Sequence, residues 1–420
     1  MPNALHIETS RTRIGVQSSI GTAASNMIDI EVLGSAPDVV KSTQRTAPNN
    51  AQVRRRREYK APVKLTKVGS EVAMSCFVKG LASPLLAAAS PVAFDNASAL
   101  SHQLLLRAML GAELAPAAGS TVAGSSGTPV DTITVATGHG SRFTIGAVIF
   151  IVGFGPRRVT AISSDDLTVS PPLDSSPSVG TVVRNCYCYY PGETDSTTFT
   201  VEHTFVESGT AESQMRAIGV HGQGEMKLEN DAPAELSFKG QALDVTGPSD
   251  LSISDDPVAD DMGDPLVWSP TTWLLSSLSS APSVTSHVAS TKVSIPRKWQ
   301  RVGGSVVNGV GSVHEVAGRG EPIDIEVDGL FDSDWHTWFT NGTALTLVTW
   351  TQVGTGSSAR IFGIWAGTTK VVESPGRSAK EALLFSQAKL RAFQDTTISG
   401  AAPALSVAGI RTANCIVFLG

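Results

Sequence analysis

The chain has 420 residues, a formal net charge of −6 and only 17% Asp, Glu, Lys and Arg, against about 25% in an average soluble domain. Its 41% hydrophobic content supports cores for roughly two or three domains, which excludes a disordered or collagen-like chain, and the acidic balance argues against a groove-reading nucleic-acid binder. The longest mostly apolar run, from Phe143 to Phe154, is broken by Gly146 and Gly153 and falls short of the ~20 residues of a membrane helix, and Met1 to Glu8 lacks a basic stretch leading into an apolar one, so neither a membrane span nor a secretory signal is expected.

In chain order, residues 1–60 are sparse in core pattern and read as an N-terminal arm that carries the basic run Arg54-Arg55-Arg56-Arg57. A strand ending in Val78-Lys79-Gly80-Leu81 follows. Leu100, Leu104, Leu105, Ala108 and Met109 recur at helical spacing and predict a helix over 98–109, with Gly111 placed to cap its end. Residues 119–127 are rich in Gly and Ser, as in a linker. Short strands then follow to about Tyr189, such as Val148-Ile149-Phe150-Ile151-Val152 and Leu167-Thr168-Val169, broken by Ser163-Ser164-Asp165-Asp166 and Pro171-Pro172. This stretch reads as a small inserted β-barrel or sandwich, separate enough that its excision is expected to leave the rest folded. Residues 246–284 hold Asp255, Asp256, Asp260, Asp261 and Asp264 among Pro and Ser and read as a long connecting arm. A second helix is predicted over 333–341, with Trp335, Trp338 and Phe339 as its apolar stripe and Gly342 after its end.

The two helices belong to an internal repeat. Val78-Lys79-Gly80-Leu81 matches Val327-Asp328-Gly329-Leu330, and Phe199-Thr200-Val201 matches Leu345-Thr346-Leu347. Arg216-Ala217-Ile218-Gly219-Val220-His221-Gly222 matches Arg360-Ile361-Phe362-Gly363-Ile364-Trp365-Ala366, and each is expected to form a Gly-centred hairpin. Glu235-Leu236-Ser237-Phe238 matches Ala382-Leu383-Leu384-Phe385. Gly80 and Gly329 are farther apart than Gly219 and Gly363, so the first copy carries the insertion between its helix and its hairpin.

At these phrases the chain resembles the tail tube, or major tail, proteins of long-tailed bacteriophages, over residues 60–117 and 190–395. The resemblance implies a mainly β fold of two sandwich or partial-barrel units, each with a flanking helix, over 61–117 with 190–245 and over 285–420. The small β-domain at 118–189 interrupts the first. It also implies a virion protein assembled in the host cytoplasm. Such a protein polymerises into stacked rings around a channel for DNA ejection and meets tape measure, tail terminator and tail-tip proteins. DNA would pass without specific binding. Because this chain carries the unit twice, a ring of three subunits with pseudo-sixfold symmetry is expected in place of six. Ile323-Asp324-Ile325-Glu326-Val327-Asp328 alternates without a break, so Asp324, Glu326 and Asp328 share one face. They face either a lumen, where like charge would repel phosphate, or ordinary outer solvent.

The chemistry-bearing residues point away from catalysis. GxSxG, HExxH and Walker-type patterns are absent; His314-Glu315 lacks the second His, since Gly318 holds its place. His203, beside Glu202, and His221 fall in predicted strands with nothing that argues for a nucleophile or oxyanion hole. Gly219 to Gly224 has the rhythm of a phosphate loop, but no helix follows it. Cys76, Cys186, Cys188 and Cys415 read as buried free thiols, with Cys186 and Cys188 on one strand face, and the tryptophans as core or subunit-contact residues. The expectation is a structural protein with no catalytic residues, no metal and no cofactor. The rival readings are another tail-tip or baseplate ring protein, or a secreted β-rich carbohydrate-binding or hydrolytic protein.

Overall fold

Strict alternation gives Ile323–Leu330 one apolar and one polar edge, and the strand keeps them: Ile323, Ile325 and Val327 are buried while Asp324, Glu326 and Asp328 are half-exposed. The same alternation runs through its neighbours and produces a mainly β protein, the fold class expected from the sequence. The computed structural model describes residues 11–17, 23–24, 27–30, 32–33, 38–40, 43–46, 64–67, 70–79, 101–192, 198–207, 210–249, 265–283, 288–297, 299–307, 310–315, 322–330, 334–356, 359–380, 383–395, 398 and 409–420. Arg54 to Arg57, Gly80, Leu81 and the acidic residues between Asp255 and Asp264 lie outside them.

Two units share one large sheet. In the first, Ser70–Phe77 pairs with Glu235–Ala242, which pairs with Thr210–Glu229, which pairs with Phe199–Glu207. In the second, Ile323–Leu330 pairs with Leu383–Phe393, then Arg360–Val371, then Leu345–Val353. Helix α1 (Ser101–Leu110) and helix α2 (Asp334–Asn341) follow the first strand of their respective units. Gly111 and Gly342, just past the helix ends, have φ of +94° and +60°, which an L side chain adopts only with strain. The helices differ in setting. Apart from Arg107, the described side chains of α1 are all buried, so it is a core helix; α2 buries Trp335 and packs by Trp338 and Phe339 at the surface of the second unit.

The repeated Gly phrases are not hairpins. Each lies inside one continuous strand that changes partners along its length. Thr210–Glu229 bonds to Asp244–Ser249 up to Ile218 and to Glu235–Ala242 from His221 onward. Gly219, with φ of +63°, sits at the changeover. Arg360–Val371 likewise bonds to Ile416–Leu419 through Trp365 and to Leu383–Phe393 from Thr368. A bulge occurs at the same place in both units, between Phe199 and Val201 and between Leu345 and Leu347. It aligns Ala217 with Ala366, whereas the sequence phrases had paired Ala217 with Ile361.

Both supposed arms contain packed sheet. Arg11–Val16 pairs with Phe199–Thr204, and Ile14, Ile28 and Ile30 are buried in the main core. Thr271–Leu275 pairs with Thr346–Trp350, and Leu266 and Trp268 are fully buried. Each piece is short and flanked by polar sequence, which hides its core pattern.

The insertion forms a closed six-stranded barrel from Ser120 to Asn185, around Val122, Ile133, Ile149, Val159, Leu167 and Val183. It is not a detached surface body. Val148 and Phe150 join a second core with Cys188, Trp273, Trp350, Trp365 and Phe418, and Tyr187–Pro191 pairs with both Gly111–Leu114 and Ile416–Leu419. Arg158, 2% exposed, forms an ion pair with the buried Asp395 and donates to the carbonyls of Ile410 (2.7 Å) and Arg411 (3.0 Å). Arg184 donates to the Ala359 carbonyl at 2.7 Å. Excision of the barrel would uncover this core, against the expectation of a removable domain.

Removing one partner of a buried ion pair leaves the other charged and desolvated. Asp395→Ala is therefore expected to cost about 3–5 kcal/mol in chemical denaturation. The double change Arg158→Met with Asp395→Leu should recover most of it. A cost for Asp395→Ala of roughly 1 kcal/mol or less, as for an exposed pair, would show that the barrel docks without this contact.

Candidate functional site

The strand Val288–Ile295 joins the two units, bonding on one side to Gly224–Glu229 and on the other to Asp324–Gly329. Side chains therefore run in rows across the whole sheet. One row is apolar throughout: Cys76, Leu236, Met226, Val293, Ile325, Leu390 and Val371, all buried. The next row is polar: Ser75, Ser237, Glu225, Ser294, Asp324, Arg391 and Lys370.

The structure brings Asp324, Glu326 and Asp328 onto one face, as the alternation predicts, but that face is not uniformly acidic. Arg391 holds Asp324 with two hydrogen bonds, at 2.8 and 3.1 Å, and Lys389 lies 3.4 Å from Asp324 and 3.0 Å from Glu373. Lys292 pairs with Glu225 at 3.0 Å and Lys227 with Glu229 at 2.9 Å. Glu326 stands in register between Lys292 and Lys389. The hydrogen bonds from Arg391 hold the Asp324 carboxyl below the usual carboxylate range. The sequence reading missed Lys292, Lys389 and Arg391. The signal was present in the alternation of Thr291-Lys292-Val293-Ser294 and of Ala388-Lys389-Leu390-Arg391-Ala392.

The other singled-out residues have structural placements. Glu202 and His203, neighbours in a strand, point to opposite faces: Glu202 pairs with Arg216 and His203 Nδ1 lies 2.9 Å from Thr12 Oγ1. His221 Nδ1 donates to the Gly219 carbonyl at 2.9 Å, and burial pulls its pKa down to about 4. His102 is fully buried in α1 and pulled down to about 3 by the same cause. The Gly219–Gly224 rhythm serves packing: a Cβ on Gly222 would stand 2.3 Å from Gly240 Cα, and one on Gly224 would stand 2.2 Å from Met109 Sδ of α1. All four cysteines are buried free thiols, with Cys186 and Cys188 in the core between barrel and second unit. Burial raises the Cys186 thiol further than Cys188 and Cys415, which reach about 12. Among the described residues, no group of three or more His, Cys, Asp or Glu is placed to hold a metal ion, and no helix is long and apolar enough to cross a membrane. A scan against models of known protein families finds no match, and a search of curated proteins finds no relative.

Two measurements follow from this geometry. The depressed Asp324 pKa makes its pairing a stabilising contribution that is complete above the unfolded value near ~3.9 and is lost as pH falls through the lower folded value. Arg391→Ala should let the Asp324 carboxyl titrate near its ordinary value in NMR and cost roughly 1 kcal/mol or less at pH 7, the scale of a largely exposed pair. An Asp324 titration unmoved by the change would mean that Arg391 does not hold it. Second, all four thiols should resist an aromatic disulfide reagent at pH 8 in the folded protein and react on unfolding. Fast labelling of folded Cys186 or Cys188 would contradict their burial.

Proposed function

We propose that this chain is a structural ring subunit of the tail-tube kind, polymerising into stacked rings whose channel passes DNA during ejection. The observation that carries the reading is the repeated strand order. Two units with the same pairing sequence, the same helix position and the same bulge lie edge to edge in one sheet. A chain of this construction is an arc of a wall. Head-to-tail repetition by a fixed rotation closes such arcs into a ring, and closure removes the exposed sheet edges. The polar face, with Asp324, Glu326 and Asp328, then lines the wet channel. Three of its cations, Lys292, Lys389 and Arg391, are already engaged by Glu225, Glu373 and Asp324, which weakens the hold of the wall on DNA phosphates. Assembly would take place in the host cytoplasm with tape measure, tail terminator and tail-tip proteins, and the product would be part of the virion. The role needs no catalytic group and no cofactor.

Electron microscopy of the concentrated protein is expected to show rings or tubes, and a cryo-EM reconstruction to show three chains per ring. Six chains per ring, each giving a single unit to the lumen, would overturn the trimer. A protein that stays monomeric at every concentration, with or without the other tail proteins, would overturn the assembly reading itself.

A further inference from the structure

A crevice of 460 Å³ lies where the barrel meets the second unit. Arg157 and Asp174 line it from the barrel, Thr271 and Trp273 from the strand beside it, and Trp350 and Gln352 from the second unit. Arg157 is the unusual member. It is 2% exposed, and its guanidinium lies 4.7 Å from the centre of the Trp273 ring. Nη1 donates to the carbonyls of Phe154 (2.7 Å) and Pro156 (2.9 Å), while Nε is buried with no hydrogen-bond partner. Among the described residues no carboxylate lies within ion-pair distance of it, in contrast to the neighbouring Arg158. Nε faces protein and is out of reach of the crevice. The donor left for a molecule there is Nη2, which makes no hydrogen bond within the protein, and a largely buried guanidinium gains from any acceptor that meets it.

The rest of the wall is built for close approach. Trp273 and Trp350 meet edge to face at 4.3 Å between ring centres. Gly155, with φ of +83°, sets bare backbone against both rings: a Cβ there would stand 3.0 Å from Trp350 and 3.3 Å from Trp273. Asp174 and Gln352 are exposed at the rim, and Thr271 is half-buried.

This set of groups selects a ligand class. A small inorganic anion would satisfy Arg157 but meet the Asp174 carboxylate. An apolar molecule would leave the remaining donors of Arg157 and the Asp174 carboxylate without hydrogen-bond partners, although the two charges attract each other. A sugar ring offers closely spaced hydroxyls that both donate and accept, together with C–H groups that pack on indole. We infer that the crevice binds a saccharide unit: Arg157 and Thr271 donate to its oxygens, Asp174 and Gln352 engage its hydroxyls at the rim, and Trp273 with Trp350 forms the apolar wall. The inference does not rest on ring assembly.

The test is a titration of the full chain followed by tryptophan fluorescence, with glucose, galactose, mannose, rhamnose and N-acetylglucosamine, and with inorganic phosphate as a separate arm. At least one sugar should give a saturable change. Asp174→Ala and Gln352→Ala, both at exposed rim positions, should each weaken that sugar about tenfold, the effect of losing one hydrogen bond to a polar ligand, with an unchanged melting temperature. No response to any sugar up to its solubility limit would overturn the inference. So would equal affinity in wild type and both variants, or saturable binding of phosphate in place of every sugar.

Discussion

The strand Val288–Ile295 is hydrogen-bonded on both sides, and through it the register of one unit fixes the register of the other. Side chains alternate with period two, so a slip of one residue at either seam would turn Lys292 into the core and Val293 out of it. Magnitudes decide which rows set that register. Burying a side chain such as Val293, Ile325 or Leu390 is worth about 1.5–3 kcal/mol each, whereas an exposed ion pair such as Lys292 with Glu225 contributes about 0–1 kcal/mol. The apolar rows therefore align the strands, and the charges on the opposite face settle into pairs once the alignment exists.

The second constraint is that two strands must each serve two sets of neighbours. Thr210–Glu229 and Arg360–Val371 leave one partner and take another partway along, and the backbone has to twist where they do. Gly219 meets this with a positive φ in the first unit. In the second, Gly367 stands at the changeover; a Cβ there would lie 3.0 Å from Arg158 Nη1 and inside contact distance of the Asp395 carboxylate. Gly367 thus leaves room for the barrel's buried ion pair at the point where the strand changes partners.

What was legible in the sequence was local. The alternation of Ile323 to Asp328, the Trp335-Trp338-Phe339 stripe and the glycines after both helices are decided by residues within a turn or a strand of one another, and the structure keeps them. The repeat was legible as an order of elements but not residue by residue, because the bulges shift the pairing of Ala217 and Ala366. Burial of arginines was not legible at all. Gly155-Pro156-Arg157-Arg158 has the composition of a surface turn, yet Arg158 finds Asp395 and the Ile410 and Arg411 carbonyls in distant parts of the chain. Nothing near Arg158 in sequence announces those partners. The same holds for the polar face: Asp324 reads as an unpaired acid until Leu383–Phe393 brings Arg391 beside it.

The barrel interrupts the first unit but docks on the second. Its far side reaches Trp273, Trp350 and Asp395, and the strand that leaves it, Tyr187–Pro191, lies between Gly111–Leu114 and Ile416–Leu419. The two units are therefore tied within the sheet through Val288–Ile295 and through Tyr187–Pro191, and outside it through the docked barrel. A sheet seam alone resists sliding but can flex about the strand direction; a tie outside the sheet opposes that flexing as well. For a ring built from such chains, the angle between the two units inside each subunit is set by folding. Only the seams between chains have to form on assembly. In the proposed trimer of double units, half of the ring's seams would be fixed before the first contact between subunits is made.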